Sequence, residues 1–274
     1  MRGIIKDITE FIRFTIFAKR SNFTFKEKLE ILRVQCSNHL RNKFSKGDRE
    51  ITQKLFGFTI SAYSYHTLQC LIREIFLLKD YHCDFSHPTP KIIDCGANIG
   101  IAVLYFKKRF PECHITAFEP NPNAFRLLEK NVRQNNLKNV TLHNIGVSDT
   151  AGTVDFFMSE NKGTLLGSLL KERGGSNQIT VDAQPLSSFL ASPVDLIKMD
   201  IEGAETTVIQ ELAASSTIQN STQFIIEYHH KIKGEPSKLS QFLKHFEDNG
   251  FEYNIRANYV KLGGFQDVLL HIYK

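Results

Sequence analysis

Asp94-Cys-Gly-Ala-Asn-Ile-Gly100 is the stretch that decides the fold of this chain. It follows the apolar run Lys91-Ile-Ile-Asp94, which predicts a short buried strand, and it leads into residues 99–109, which we expect to be helical. Gly96 and Gly100 allow a tight turn and a close approach of the backbone to a ligand. A glycine-rich turn between a strand and a helix is typical of α/β proteins that bind nucleotides, and other residues must identify the ligand.

Strand and helix patterns alternate from this turn to the C-terminus. Two prolines in His87-Pro-Thr-Pro90 precede them, so we divide the chain into an N-terminal extension, residues 1–86, with short amphipathic helices and a hairpin arm, and a main domain, residues 87–274. The strand-helix-strand-helix-strand order of residues 91–143 predicts the first half of a doubly wound parallel sheet. We expect strands at 91–94, 114–118, 140–143, 153–157, 179–182, 194–199, 223–228, 251–255 and 268–272, the last two pairing as an antiparallel edge, and helices at 99–109, 123–135, 204–212 and 237–249.

The composition is that of an ordinary globular protein, with 42% apolar and 23% charged residues among 274. The five cysteines are scattered and form no C-x-x-C pair, which argues against a disulfide framework and against a thiolate zinc site. The N-terminus lacks the apolar run of a signal peptide, and no later stretch has the length and apolarity of a transmembrane helix. We therefore expect a reduced, cytoplasmic protein with one catalytic core.

The formal net charge of +5 is concentrated near the N-terminus, where residues 1–50 hold twelve Lys or Arg against six Asp or Glu. Such a segment could meet an anionic membrane surface or a nucleic acid. Its apolar positions from Ile4 to Ile12 fall on one helical stripe, which would equally well pack against the core, and we favour packing. The phenylalanine-rich helices of this segment could also form a homodimer surface.

Two acids follow the first two predicted strands and define the expected cofactor. Asp94 stands where a dinucleotide-binding fingerprint would have glycine to admit a pyrophosphate, and a carboxylate there would repel phosphate. It suits a cationic ligand such as S-adenosylmethionine, which carries a sulfonium and an ammonium group. Glu119, 19 positions after Gly100, stands where Rossmann-like proteins hold a ribose diol. The alternative for Glu119 is an acid that only favours the start of a helix.

Neighbouring residues complete the expected cofactor site. Pro120 and Asn121 turn the chain sharply after the second strand, and Ser148-Asp149 follows the third strand on the expected adenine side. A plain turn is an equal alternative for Ser148-Asp149. The expected cofactor-binding residues are Asp94, Gly96, Asn98, Gly100, Glu119, Pro120, Asn121, Ser148 and Asp149.

Charged residues at two further strand ends predict the catalytic site. Lys198 and Asp200 share one face at the end of a strand, and Glu227 and His229 do so at the end of the next strand. We expect Asp200 and His229 to act on an acceptor hydroxyl, with His229 mostly neutral at its ordinary pKa of ~6.5. Glu227 would orient His229 or hold the acceptor. The expected catalytic residues are Asp200, His229, Glu227 and Lys198.

Alternatives remain open at these strand ends. Lys198 could simply pair with a buried acid, while Glu202 and Glu205 could merely favour the start of the next helix. A cluster of acids with a histidine also suits a divalent cation, Mg²⁺ or Mn²⁺, that would polarise a diol. The ligands of such a cation would be Asp200, Glu227 and His229.

Four blocks, in a fixed order, carry a family resemblance: Ile92-Ile-Asp-Cys-Gly-Ala-Asn-Ile-Gly100, Ala117-Phe-Glu-Pro-Asn-Pro122, Asn144-Ile-Gly-Val-Ser-Asp149 and Ile197-Lys-Met-Asp-Ile-Glu-Gly-Ala-Glu205. Together they resemble the FkbM family of S-adenosylmethionine-dependent methyltransferases. The resemblance implies a Rossmann-like class I methyltransferase fold, a doubly wound seven-stranded sheet whose last strand is antiparallel. It also implies O-methylation of a hydroxyl on a small molecule or glycan, of sugar or polyketide type. Asn98 replaces a glycine of the wider methyltransferase pattern, as is usual within this group.

Two functions of other classes compete with this interpretation. One is a non-catalytic protein that keeps the cofactor-binding fold, since fold and motif alone do not establish turnover. The other is an NAD-dependent oxidoreductase, which Asp94 and the missing third glycine oppose. A nucleic-acid acceptor is not expected, because the core is not basic and no motif for a flipped base is present. We expect residues 1–86 and the loop at 159–177 to shape the acceptor site.

Overall fold

The computed structural model describes residues 23–44, 50–159, 167–257, 261 and 263–274. The apolar stripe expected between Ile4 and Ile12 lies outside these residues. None of the helices within them is both long and apolar enough to cross a membrane. The described residues form an α/β fold with a seven-stranded sheet, a four-stranded sheet and a two-stranded hairpin.

From residue 91 onward the chain contains the alternating strands and helices that the pattern predicts, together with short elements that it does not predict. The strands are β1 (Ile51–Leu55), β2 (Phe58–Ala62), β3 (Lys91–Cys95), β4 (His114–Phe118), β5 (Val140–His143), β6 (Gly146–Ser148), β7 (Gly152–Met158), β8 (Gly167–Ser168), β9 (Asn177–Pro185), β10 (Val194–Met199), β11 (Ser221–His230), β12 (Glu252–Ala257) and β13 (Gln266–Tyr273). The α-helices are α1 (Phe25–Phe44), α2 (Tyr65–Ile72), α3 (Ile101–Arg109), α4 (Pro122–Gln134), α5 (Lys171–Gly174), α6 (Glu205–Ala214) and α7 (Leu239–Glu247). A π-helical turn, Arg73–Leu77, directly continues α2.

The seven-stranded sheet has the order β12-β13-β11-β10-β3-β4-β5. Neighbours from β11 to β5 pair in parallel, whereas β13 is antiparallel to both β11 and β12. The pair expected at the edge is thus present, with β13 inserted between β11 and the edge strand β12. The chain leaves β3 toward β4 and later returns to β10 on the other side of β3. The carboxyl ends of β3 and β10 therefore flank the crevice where open α/β sheets bind ligands.

Alternate side chains of each central strand enter two separate cores, one on each face of the sheet. Ile92 and Leu196 belong to the first core, while Ile93 and Ile197 belong to the second. Strand side chains alternate between faces, so strands that are covered on both sides become continuous apolar runs. This burial explains why β3 and β10 are recognisable in the sequence.

The described part of residues 1–86 shares the first core instead of forming a separate unit. Ile31 of α1 and Leu55 of β1 are buried in the same cluster as Ile92. Asn131 of α4 binds the hairpin through the backbone of Ser61, accepting from its N–H at 2.7 Å and donating to its carbonyl at 3.0 Å. The expected series of short helices is wrong for residues 25–44, which form one helix of 20 residues.

The four-stranded sheet has the order β6-β9-β7-β8 and borders the crevice. The expected loop at 159–177 contains β8, the short helix α5 and the start of β9. Residues 160–166 of that loop lie outside the described residues. Short strands such as β6 and β8 carry too few residues for a period-two pattern, which is why the sequence does not reveal them.

Candidate functional site

A cavity opens at the carboxyl ends of β3, β4 and β10, at the point where the strand order reverses. The polar residues around it are Asn98, Glu119, Asp200 and Glu202. The apolar residues include Phe118, Ile145, Val147, Phe156, Leu169 and Ile201. Among the described residues that line the cavity, three are acids and none is Lys or Arg. The cavity therefore favours a ligand with an apolar part and a positive charge.

The glycine loop, residues 96–100, brings the backbone of β3 against the end of β10. A Cβ atom on Gly96 would lie 1.8 Å from the carbonyl oxygen of Asp200, and the residue has a left-handed φ of 77°. The loop is held from the other side, because the Gly96 and Ala97 N–H groups both donate to the carbonyl of Phe118. Asn98 has a φ of 51°, a conformation that Gly and Asn adopt most readily. This conformation explains why asparagine can replace the glycine of the wider methyltransferase pattern here. Gly100 caps α3 outside the cavity lining.

Glu119 is a buried acid whose carboxylate lines the cavity. Its oxygens accept hydrogen bonds from the backbone N–H groups of Asn98 and Asn121, each at 2.8 Å. Burial raises the pKa of Glu119 to about 7, against the opposing effect of these two donors. Two donors leave further acceptor capacity on the carboxylate, which suits a diol. Pro120 also borders the cavity.

Asn121 and the Ser148-Asp149 pair lie outside the cavity lining. The side-chain oxygen of Asn121 caps α4 by accepting from the N–H groups of Asn123 and Ala124. Ser148 is buried, and its hydroxyl donates to the carbonyl of Thr150 at 2.7 Å, so its side chain stabilises the local turn. Asp149 is exposed. The plain-turn alternative therefore describes this pair.

Asp94 and Lys198 face each other below the glycine loop. Asp94 Oδ1 lies 3.1 Å from Lys198 Nζ, and neither residue is more than 2% exposed. Lys198 Nζ also donates to the carbonyl of Gly96 at 2.8 Å. Neither side chain lines the cavity, because Lys198 lies beside Asp94 and holds the loop. A direct role of Asp94 in cofactor binding and of Lys198 at the acceptor therefore stays a prediction. The alternative that Lys198 pairs with a buried acid describes the arrangement.

His229 is buried among carboxylates at the end of β11. Its Nδ1 lies 2.8 Å from Oε1 of Glu205, and its Nε2 lies 3.2 Å from Oε2 of Glu202. Asp200 and Asp267 each place an oxygen 3.9 Å from Nε2. Although burial opposes the charge, these acids raise the pKa of His229 to about 10. The surrounding acids therefore favour the protonated ring, whereas the sequence leads us to expect a mostly neutral His229.

Asp200 and Glu227 form the partly exposed side of the same cluster. The charge of Asp200, together with burial, raises the pKa of Glu227 well above its usual range. Asp200, Glu227 and His229 each offer one possible ligand atom for a metal ion, and these atoms lie within 4.8 Å of one another. Only Asp200 of these three residues lines the cavity.

Two further residues of this site are not among the expected catalytic or cofactor-binding residues. Tyr81, which follows the π-helical turn, is buried, and its hydroxyl donates to Oδ2 of Asp200 at 3.3 Å. Arg173 of α5 pairs with Glu202, and its guanidinium lies 4.4 Å from the ring centre of Phe265. The sequence signal for Tyr81 is that it resembles, with the nearby residues 73–76, the segment that precedes the core in the FkbM family. The signal for Arg173 is only its position in the long loop before β9.

Comparison with known proteins assigns the family. A family model described as the methyltransferase FkbM domain matches residues 94–253, more than half of the chain. Methyltransferase sdnD of Sordaria araneosa is 30% identical over 175 residues, which cover 52% of this chain and 68% of that protein. The 2-O-methyltransferase NoeI of Sinorhizobium fredii is 28% identical over 156 residues, which cover 50% of this chain and 62% of that protein.

A solved structure shares the fold. The crystal structure of methyltransferase FkbM from Methylobacillus flagellatus superposes with a TM-score of 0.52 at 15% identity, covering 99% of this chain and 60% of that chain. This chain thus spans roughly two thirds or less of the length of its relatives. The match of the family model includes the glycine loop, Glu119, Asp200 and His229. The chain belongs to the FkbM family of methyltransferases.

Proposed function

We propose that this chain is an S-adenosylmethionine-dependent O-methyltransferase that acts on a hydroxyl group of a small molecule or glycan. One observation carries the proposal: Glu119 and Asp200 line a single cavity. Its described lining residues include three acids and no Lys, Arg or His. Such a cavity suits a cationic sulfonium cofactor and disfavours the pyrophosphate of NAD. Membership of the FkbM family supports methyl transfer. The name of the relative NoeI, a 2-O-methyltransferase, supports oxygen as the acceptor atom.

The residues around the cavity fit the parts of this cofactor. Glu119 would accept hydrogen bonds from the ribose hydroxyls, because its carboxylate is buried, fixed by two backbone donors and open to the cavity. Ile145, Val147 and Phe156 would enclose the adenine. The glycine loop would receive the amino-acid end, where Gly96 leaves the backbone accessible. Asp94 would support the glycine loop indirectly, because its ion pair fixes Lys198, whose ammonium donates to the carbonyl of Gly96.

Asp200 is the residue that we assign to the acceptor hydroxyl. When bound, the cofactor supplies an electrophilic methyl group, which leaves its sulfur for the acceptor oxygen. Asp200 would take the hydroxyl proton, since it borders the cavity and Tyr81 fixes one of its oxygens. His229 and Glu227 would position Asp200 and the acceptor, because the acids around His229 favour its protonated form, which is a poor base.

A divalent cation is a second element of this proposal. Asp200, Glu227 and His229 have the geometry for three ligand atoms, and Glu205 accepts from Nδ1 of His229, so Nε2 faces the other acids. A carboxylate that orients a histidine in this way is common behind protein metal sites. Mg²⁺ or Mn²⁺ bound there would replace the proton on Nε2. Titration with Mn²⁺ in a calorimeter tests this element: we expect binding that Glu227→Gln weakens, and absence of binding refutes it.

The experiment that tests the proposed cofactor is calorimetric titration with S-adenosylmethionine, S-adenosylhomocysteine and NAD. We expect the first two ligands to bind and NAD not to bind. Glu119→Ala should abolish binding, whereas Asp149→Ala, which removes an exposed acid outside the cavity, should leave it unchanged. Binding of NAD alone would indicate an oxidoreductase and overturn the proposal.

Turnover separates an enzyme from a non-catalytic relative. Incubation with S-adenosylmethionine and a panel of hydroxylated sugars and polyketides should release S-adenosylhomocysteine with at least one acceptor. The relatives' names give no acceptor beyond oxygen, so the panel must include free sugars, oligosaccharides and hydroxylated polyketides. Cofactor binding without turnover on any member would favour the non-catalytic alternative.

A further inference from the structure

Helix α1 carries an exposed apolar stripe that the proposed function does not use. Its residues are Phe25, Leu29, Leu40 and Phe44, which are 83%, 58%, 54% and 82% exposed. At 3.6 residues per turn the four positions fall within about 100° of the helix circumference. The buried residues of the helix, among them Ile31 and Val34, lie on the opposite side. The stripe is therefore a second apolar face on a helix that already packs against the core.

The stripe has an apolar pair at each end of the helix, and the charged Arg33 lies between the two pairs on the same face. Phe25 and Phe44 stand at its two ends, and 19 residue steps of α-helix place them about 28 Å apart. Large exposed aromatic side chains at both ends of one helix face are unusual for a surface that meets only water, and extended apolar patches mark interaction sites. The length of the stripe argues for an extended partner surface and against a small ligand.

Basic residues flank the stripe, and the nearby acids are already engaged. Lys26, Arg33 and Arg41 of α1 line a groove beside the stripe together with Lys54 of β1. Glu27 of the helix pairs with Lys108 at 2.5 Å. Glu30 accepts a hydrogen bond from the backbone N–H of Phe56 at 2.6 Å. The face that surrounds the stripe is therefore positively charged.

We propose that α1 docks this protein on an anionic lipid membrane, with the stripe in the interface and the basic residues at the headgroups. Exposed Phe and Leu on one side and Lys and Arg at its border are the features of helices that lie in the plane of a membrane surface. A second copy of this chain fits less well, because a two-fold contact through the stripe would bring equal sets of basic residues together. A nucleic acid would engage the charges but has no need of exposed phenylalanines.

Vesicle sedimentation of the full chain tests the proposal with two double variants and one control. The vesicles are pure phosphatidylcholine, or phosphatidylcholine with about one third phosphatidylglycerol. Lys26→Gln with Arg33→Gln removes two flanking charges, and Phe25→Ser with Phe44→Ser removes the ends of the stripe. Arg133→Gln with Lys138→Gln removes two exposed charges from the other basic surface, beside α4, as a matched control.

We expect binding to the anionic vesicles and little binding to the neutral ones. Each basic residue near the surface contributes about fivefold to partitioning, so the Lys26 and Arg33 double variant should bind about 25-fold more weakly. The Phe25 and Phe44 double variant should also lose binding, whereas the control should retain it. Circular dichroism spectra and thermal unfolding like those of the wild type establish that each variant keeps the overall fold.

Other outcomes overturn the proposal. If the Phe25 and Phe44 variant binds anionic vesicles as well as the wild type, the stripe is not inserted. If the wild type is a dimer in solution and that variant is a monomer, a second copy covers the stripe. If single-stranded RNA binds and competes with vesicles while the Phe25 and Phe44 variant is unaffected, the basic groove is a nucleic-acid surface.

Discussion

The carboxylate of Asp94 lies 3.1 Å from the ammonium of Lys198, and both groups are withdrawn from solvent. The two residues are register partners on the neighbouring parallel strands β3 and β10. Although burial opposes a charged lysine, Asp94 raises the pKa of Lys198 above its ordinary value. The ring of Tyr81 covers the ammonium, with 5.1 Å between Nζ and the ring centre. This ion pair joins the two strands on either side of the crevice, directly below the glycine loop.

Lys198→Met should destabilise the fold strongly. Removal of one partner leaves the other charge buried without compensation, which costs about 3–5 kcal/mol in the free energy of unfolding. Urea unfolding followed by circular dichroism measures the loss. The double variant Asp94→Asn with Lys198→Met should recover most of it, because no unpaired charge remains.

Lys107→Met is the matched control for this prediction. Lys107 is also buried, but its ammonium donates to the backbone carbonyls of Cys113 and Pro111 and forms no ion pair with a carboxylate among the described residues. Its replacement should cost less than that of Lys198, because no buried carboxylate loses its partner. Equal losses for the two variants would mean that the Asp94 pair contributes nothing specific.

The sequence predicts the strands better than it predicts partners across strands. Residues 114–118 and 194–199 coincide with β4 and β10, because strands buried on both faces are continuous apolar runs that end in polar residues. The contact between Asp94 and Lys198 depends on β10 returning beside β3, and no local pattern encodes that neighbour. For this reason Asp94 is expected to face a ligand, whereas the structure gives it a buried partner.

Gly96→Ala should disrupt the glycine loop and abolish cofactor binding. The new Cβ would lie 1.8 Å from the carbonyl oxygen of Asp200, so β3 and β10 would have to separate at the crevice. Gly57→Ala provides the control, because Gly57 has a similar φ of 84° with no atom within 4 Å of the added carbon. The free energy of unfolding of the control should fall only by the cost of a left-handed alanine, about 1–2 kcal/mol. Thermal unfolding and cofactor titration measure both variants, and similar stability losses would contradict the close contact.

The apolar part of the cavity could not be predicted from the sequence for a different reason. Phe156 and Leu169 belong to the four-stranded sheet region, which contacts the crevice only because β7 and β8 fold back over it. The expected adenine contact, Ser148-Asp149, begins one position beyond the lining segment, which contains Ile145, Gly146 and Val147. The positions of polar residues at strand ends correctly predict that the site lies at the carboxyl ends of the strands. Which side chains reach the cavity depends on how the short strands pair.

Cofactor affinity should depend on pH through Glu119. Burial raises the pKa of its carboxyl to about 7, and only the ionised form can accept from both ribose hydroxyls. The dissociation constant for S-adenosylmethionine should therefore rise by up to about tenfold for each pH unit below 7 and level off above it. Glu119→Gln should bind more weakly and lose this dependence. Calorimetry of the wild type and the variant at several pH values isolates the contribution of Glu119, because the titration of the ligand itself affects both proteins equally. If the dissociation constants of the two proteins change with pH in parallel, Glu119 does not cause the pH dependence.

Asp200→Asn should slow methyl transfer while leaving cofactor binding nearly intact. The asparagine keeps the size of the side chain and can still accept from Tyr81, but it cannot take a proton from the acceptor hydroxyl. Loss of a general base lowers kcat by about 10²- to 10⁴-fold. Production of S-adenosylhomocysteine measures kcat, and titration measures cofactor affinity. Asp149→Asn, an exposed acid outside the cavity, should retain full activity. If Asp200→Asn keeps kcat and raises only the KM of the acceptor, Asp200 binds the acceptor without taking its proton, and the base must be sought elsewhere in the cluster.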